Sequence, residues 1–183
     1  PVAEIKAVRA AVASDPVGVR VLLTPIITDF MTRGQSPQEA LDEVREWQAL
    51  NTERVAVGNH FKLMIDGAIF SGLSQMGAPG YLDGHSGVWM VDVPNLKAFA
   101  ERFWEAGFQL HAHSNGDAAT ARFIELLEYL LAKNPKRDHR MTLEHFAYST
   151  EDQNRKLAAL GAAVGGAAFL LLVLPPPPPP PPP

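Results

Sequence analysis

Apolar positions along this chain recur with two periods, and the alternation between them predicts strands and helices in turn. Residues 4–14 place Ile5, Val8 and Val12 at helical spacing, and Asp15-Pro16 closes that helix. Residues 17–27 are β-branched and aliphatic and predict a buried strand. Ser36, Pro37 and Glu39 supply an N-cap, a first-turn proline and a capping-box partner, after which Leu41, Val44, Trp47 and Leu50 repeat at helical spacing. Residues 61–66 predict the next strand, with Lys62, Met64 and Asp66 on one face. A helix over 94–106 turns Leu96, Phe99 and Phe103 inward and stops at Gly107. A strand over 108–113 follows, then a helix over 117–133 with Ala121, Ile124, Leu127 and Leu131 as its buried stripe. A strand over 141–145, a helix opened by Thr150 and closed at Gly161, and a strand in the first half of 161–174 complete the pattern. At least five strands, each followed by a helix, describe a parallel α/β fold.

Two stretches stand outside this rhythm. Residues 67–92 form a long loop with glycines at 67, 72, 77, 80, 84 and 87, interspersed with Tyr81, Asp83, His85 and Trp89. A loop of that length after a strand reads as a lid or substrate loop, or as a surface excursion. Residues 175–183 are an unbroken proline run, expected to be artefactual or disordered and set apart from the fold, which occupies residues 1–174.

Composition narrows the choice of partner and cofactor. The chain has 183 residues, 46% hydrophobic and 20% charged, enough for one sizeable core. A net charge of −4 gives no reason to expect nucleic acid or a membrane surface as partner, and the basic residues Lys133, Lys136, Arg137 and Arg140 read as a solvated turn. The apolar stretch 161–174 is too short to span a bilayer. The expected partner is a small-molecule substrate, with a homo-oligomer as a further possibility, and a cytoplasmic location is the default expectation. With no cysteine, disulfides and thiolate metal sites are excluded, so a metal must rest on His, Lys and carboxylates.

The chemistry gathers at strand ends. His111 and His113 lie two apart on one strand and project to one face, ahead of an Asn-Gly-Asp turn in which Asp117 is placed to cap the next helix. About thirty residues on, the strand 141–145 ends in Glu144-His145. One strand-end histidine is more often a hydrogen-bonded structural group than a ligand. Two of them, with an acidic neighbour, point toward a metal site at the carboxyl ends of a parallel sheet. Lys62 sits in an otherwise apolar strand, where it must face solvent, pair with an acid or be chemically changed; periodicity alone favours an edge strand.

Three segments resemble amidohydrolase family 3, the branch that contains N-substituted formamide deformylases and AepA-type proteins. His113-Ser-Asn-Gly-Asp117-Ala-Ala resembles the signature His-Ala-Ile-Gly-Asp-Arg-Ala, Lys62 to Gly67 resembles Lys-Leu-Phe-x-Asp-Gly-Ser, and Arg140 to Ala147 resembles Arg-Ile-Glu-His-Ala. The three occur in the family's order, and the resemblance covers about residues 17–168. It implies a (β/α)8 TIM barrel of the metal-dependent hydrolase type, present as a partial barrel of about strands three to seven. The family's first-strand His-x-His pair and eighth-strand Asp are absent from this sequence. It further implies hydrolysis of a non-peptide C–N bond by a metal-activated water. His113 and His145 would hold a divalent metal, zinc by expectation, and a carboxylated Lys62 would bridge two ions. Asp117 and Glu144 would orient the histidines, with Asp117 and His111 as the catalytic candidates and Arg140 anchoring a neighbouring carboxylate. For His111 a core histidine bonded to a carbonyl is an equal reading. The alternatives are a catalytically incompetent fragment or binding module on this scaffold, and a metal-free α/β small-molecule binder.

Overall fold

The computed structural model describes residues 2–14, 16 and 18–166; the proline run, the second half of the stretch 161–174 and Asp15 lie outside the described residues. Helix α1 spans Val2–Ala13 and buries Ile5 and Val12. Strand β1 is only Val21–Leu23, shorter than the apolar run predicted. The run breaks because Ile27 and Phe30, both fully buried, pack as one face of a short helix, α2, Ile27–Thr32. Helix α3 (Pro37–Gln48) carries the capping box read from Ser36 and Glu39, and buries Ala40, Leu41, Val44 and Trp47.

Strand β2 (Val55–Val57), too short to stand out as a period, pairs in parallel with β1. Strand β3 (His60–Met64) follows after two residues. A parallel bridge from Ile26 to Lys62 joins the β1 segment to β3 as well. Strands β4 (Gln109–Ser114), β5 (Thr142–His145) and β6 (Ala163–Gly166) then add in order β3-β4-β5-β6, all parallel. Helices α4 (Val93–Glu105), α5 (Asp117–Lys133) and α6 (Glu151–Leu160) are the crossovers. The strands do not close into a barrel among the described residues. No described helix is long and apolar enough to cross a membrane.

Strand alternation divides the four-stranded sheet into two unlike faces. Phe61, Leu63, Leu110, Ala112 and Leu143 are fully buried and belong to the core. On that side Phe61 stacks on Phe103 of α4 with centroids 3.6 Å apart, and Phe30 lies 6.0 Å from Phe61 and 5.5 Å from Trp47. Each such ring removed from water contributes about 1.5–3 kcal/mol. The opposite face carries His60, Lys62, Met64, His111, His113 and Glu144, all half-buried. The core therefore fixes the sheet, and the sheet presents a polar row on its other side.

Candidate active site

The row is built by register. Lys62 lies opposite His111 across β3 and β4, Met64 opposite His113, and His113 opposite Glu144 across β4 and β5. In-register partners of a parallel sheet share a face, so Lys62, His111, His113 and Glu144 converge without any long-range coincidence. Glu144 ties three strands together. Its Oε1 accepts from His111 Nδ1 at 2.9 Å, and its Oε2 forms an ion pair with the Lys62 ammonium. A cavity of about 470 Å³ opens beside Lys62, His111 and Glu144, lined also by Leu22, Thr24, Ile26 and His60; His113 does not line it.

His145 reaches the group by a different route. In register it faces Ser114, whose side chain is fully buried. At His145 the backbone turns left-handed, φ 75°, and Phe146 follows at φ 45°. The His145 ring then meets the His113 ring edge to face, centroids 4.4 Å apart.

Electrostatics keep the imidazoles neutral. Burial pushes His113 below the usual histidine range, with Lys62 adding to the push and the Gly67 carbonyl opposing it. Burial also lowers His145, aided by His113 and Lys62 and opposed by Asp66. His111 is lowered by burial, then by His60 and Lys62. Burial brings the Lys62 amine down to about 8, although its contact with Glu144 acts in the other direction. Neutral imidazole is the form that ligates a metal, and an amine near 8 is partly unprotonated at neutral pH.

Asp117 lies elsewhere in the arrangement. Gly116 is the N-cap of α5, and Asp117 is the first helical residue rather than the cap. Its carboxylate accepts the Gly77 N–H at 2.7 Å, so it ties the long loop to α5 instead of touching a histidine. The loop is ordered against the site: Gly67 N–H donates to Leu73 O, Met90 N–H to Ile65 O, and Ala118 N–H to Gln75 O. A Cβ on Gly116 would fall 1.8 Å from the Gln75 carbonyl oxygen, which is why this turn requires glycine. Arg140 pairs with Asp138 through two hydrogen bonds at 2.9 and 2.7 Å.

Two further residues lie beside His113: Asp66, read from the sequence only as sharing a face with Lys62, and Asn115, read only as part of the Asn-Gly-Asp turn. Asp66 is fully buried and accepts backbone N–H groups of Gln75, Asn115 and Gly116 at 2.8–2.9 Å. Burial raises its carboxyl against the pull of those three donors. The Asn115 amide nitrogen contacts both Gly67 O at 3.0 Å and His113 Nε2 at 2.9 Å. An Asp-Gly pair at the end of one strand, facing an Asn-Gly-Asp turn after the next, was the available sequence signal.

As a metal site the donor set is partial. Among the described residues no group of three or more His, Cys, Asp or Glu side chains is placed to hold a metal ion. His113 and His145 are two neutral rings in contact, with His113 Nε2 facing the Asn115 amide nitrogen at 2.9 Å and free to ligate only once that contact is released, and Lys62 could add oxygen donors only after carboxylation. His111 Nε2 is buried without a hydrogen-bond partner among the described residues, a vacant acceptor on the same face.

Comparison with known proteins shows the family and the fold. A profile of the amidohydrolase family matches residues 2–171, and the chain belongs to that family. Among solved structures, it is similar to an uncharacterized metal-dependent hydrolase from Pyrococcus furiosus, with TM-score 0.55 and 21% identity over 72% of this chain and 27% of that one. A second uncharacterized metal-dependent hydrolase, from Pyrococcus horikoshii OT3, gives TM-score 0.55 and 17% identity over 71% of this chain and 26% of that one. The chain thus spans about a quarter of the length of these two proteins. No curated protein matches the sequence.

Proposed function

We propose that this chain carries part of the active site of a metal-dependent hydrolase that cleaves a non-peptide C–N bond, in an amide, formamide or cyclic amide, of a small-molecule substrate. The scaffold on this reading is a partial (β/α)8 barrel, about strands three to seven, of the N-substituted formamide deformylase-like or AepA-like branch. His113 and His145 would hold a divalent cation, zinc by preference, and Lys62, once carboxylated, would offer two oxygens to it and to a second ion. A bound cation supplies the activated water and polarises the carbonyl under attack.

The chain's own groups have defined tasks. Glu144 accepts the Nδ1 proton of His111, leaving His111 Nε2 as a lone pair that can take a proton from the face of the sheet. Asp117 holds the long loop to the start of α5 through the Gly77 N–H. Depression of the Lys62 amine favours its carboxylation, because only the unprotonated amine attacks carbon dioxide. The observation that carries the reading is the His113–His145 contact, produced by a left-handed strand end within a family of amidohydrolases.

A second reading, a scaffold without catalysis, rests on the partial donor set and on Lys62 being engaged as an ammonium by Glu144. One assay separates them. Metal-loaded protein is incubated with acyl-amine, formamide and cyclic amide substrates, and release of the amine is measured. The hydrolase reading predicts turnover that is lost in His113→Ala and on chelation; no turnover with any class supports the second.

A further inference from the structure

The geometry points to Asn115 as a positioning residue for His113, with Asp66 as the buried group that sets Asn115 in place. Asn115 lies in the turn between β4 and α5 and is 3% exposed. Its backbone N–H is held by Asp66 Oδ1 at 2.9 Å, and the next N–H, of Gly116, by Asp66 Oδ2 at 2.8 Å. The same carboxylate takes the Gln75 N–H from the long loop at 2.9 Å. One buried anion therefore gathers three donors from two segments, a strong arrangement because each bond is charge-assisted.

The side-chain amide of Asn115 reads out this position. The Gly67 carbonyl, 3.0 Å away, can only accept, so it must face the amide nitrogen and not the amide oxygen. The nitrogen's second N–H is then directed at His113 Nε2, 2.9 Å away. Nε2 receives a proton and holds none, so the neutral ring carries its proton on Nδ1. Asp66 itself is 3.9 Å from Nε2, too far for a hydrogen bond, and acts through Asn115. Because Gly67 opens the long loop, Asn115 links the loop, the turn and the His113 ring through hydrogen bonds. With Nδ1 protonated and Nε2 accepting from Asn115, neither ring nitrogen of His113 has a free lone pair in the metal-free chain, so a cation at His113 must displace one of these protons.

The test is nitrogen NMR of histidine-labelled, metal-free protein at neutral pH. In the wild-type chain His113 should show one resolved tautomer with the proton on Nδ1. Asn115→Ala removes the amide but keeps the backbone N–H on Asp66. It should average the two His113 nitrogen signals while amide exchange at Gln75 and Gly116 stays protected. Asp66→Asn should produce the same averaging together with loss of that protection; if it does not fold, Asn115→Ala carries the test alone. Asp117→Ala, which removes the acceptor of the Gly77 N–H, should leave the His113 signals unchanged. A wild-type proton on Nε2, an unchanged tautomer in Asn115→Ala, or averaging in Asp117→Ala as well would overturn the assignment.

Discussion

His113 and His145 touch edge to face at 4.4 Å although strand register assigns their side chains to opposite faces of the sheet. Register pairs His113 with Glu144 and His145 with the buried Ser114. The contact exists because His145 leaves the extended conformation, at φ 75°, where a side chain other than glycine is strained. Backbone strain of this kind persists only where the surroundings impose it, and functional sites are where it collects.

That strain gives a first prediction. Glycine at 145 relieves the left-handed conformation, whereas alanine keeps it. His145→Gly should therefore be more stable than His145→Ala by about 1 kcal/mol, read as a later urea midpoint. An alanine variant equal to or more stable than the glycine variant would show that φ at 145 is not strained.

Lys62 gives a dependence on pH with a definite sign. Its amine lies at about 8 when folded against 10.5 in the reference state. Between those values the unfolded chain holds the proton and the folded chain does not, so stability rises with pH across that window. Below it the penalty is fully present, at most about 3 kcal/mol and reduced by the contact with Glu144. Lys62→Met should abolish the rise. Parallel unfolding curves of wild type and Lys62→Met across this range would contradict it.

Gly116→Ala tests the seating of the loop. The backbone there is ordinary, φ −86°, so only space is at issue, and the new Cβ would meet the Gln75 oxygen. The loop must lift, and limited proteolysis within residues 67–92 should speed up while the helices resist. Unchanged cleavage would mean that the loop does not press on this turn.

Phe61 tests the other face. It is fully buried, stacked on Phe103 and met at a tilt by Phe30. Phe61→Ala should cost about 3–5 kcal/mol by loss of burial and the cavity left behind, measured by chemical denaturation. A cost below about 1 kcal/mol would show that the sheet is not fixed by this contact.

The sequence was legible where a local signal is strong. The Ser36–Glu39 capping box, the inward residues Leu96, Phe99 and Phe103 of α4 and the parallel pairing of β3 to β6 follow from spacing alone. The stripe of α5 follows in part: Ile124 and Leu127 are buried, but Phe123, Leu126 and Leu130 are buried where the spacing predicts Ala121 and Leu131. Strand β2 was missed because three residues show no period, and α2 because Ile26-Ile27-Thr28 is locally β-branched while tertiary burial of Ile27 and Phe30 decides for helix. Within the site, alternation places His111 and His113 on one face, and Lys62 joins them through strand register, where periodicity alone favours an edge strand. His145, expected beside His113 as a strand-end ligand, does meet it, but through one left-handed residue rather than through alternation. Asp117 and Asp66 are both acids next to glycine, and nothing local says that the first binds Gly77 while the second lies buried beside His113. That distinction is set by how the long loop folds back, which no short spacing encodes.

The central claim is that His113 and His145 share one divalent cation. It is tested most directly by titrating zinc into metal-free protein and following the ring signals of both histidines. The account predicts saturable binding that shifts His113 and His145 together and disappears in His113→Ala. Zinc binding that leaves both rings unmoved, or that survives unchanged in His113→Ala, would contradict it.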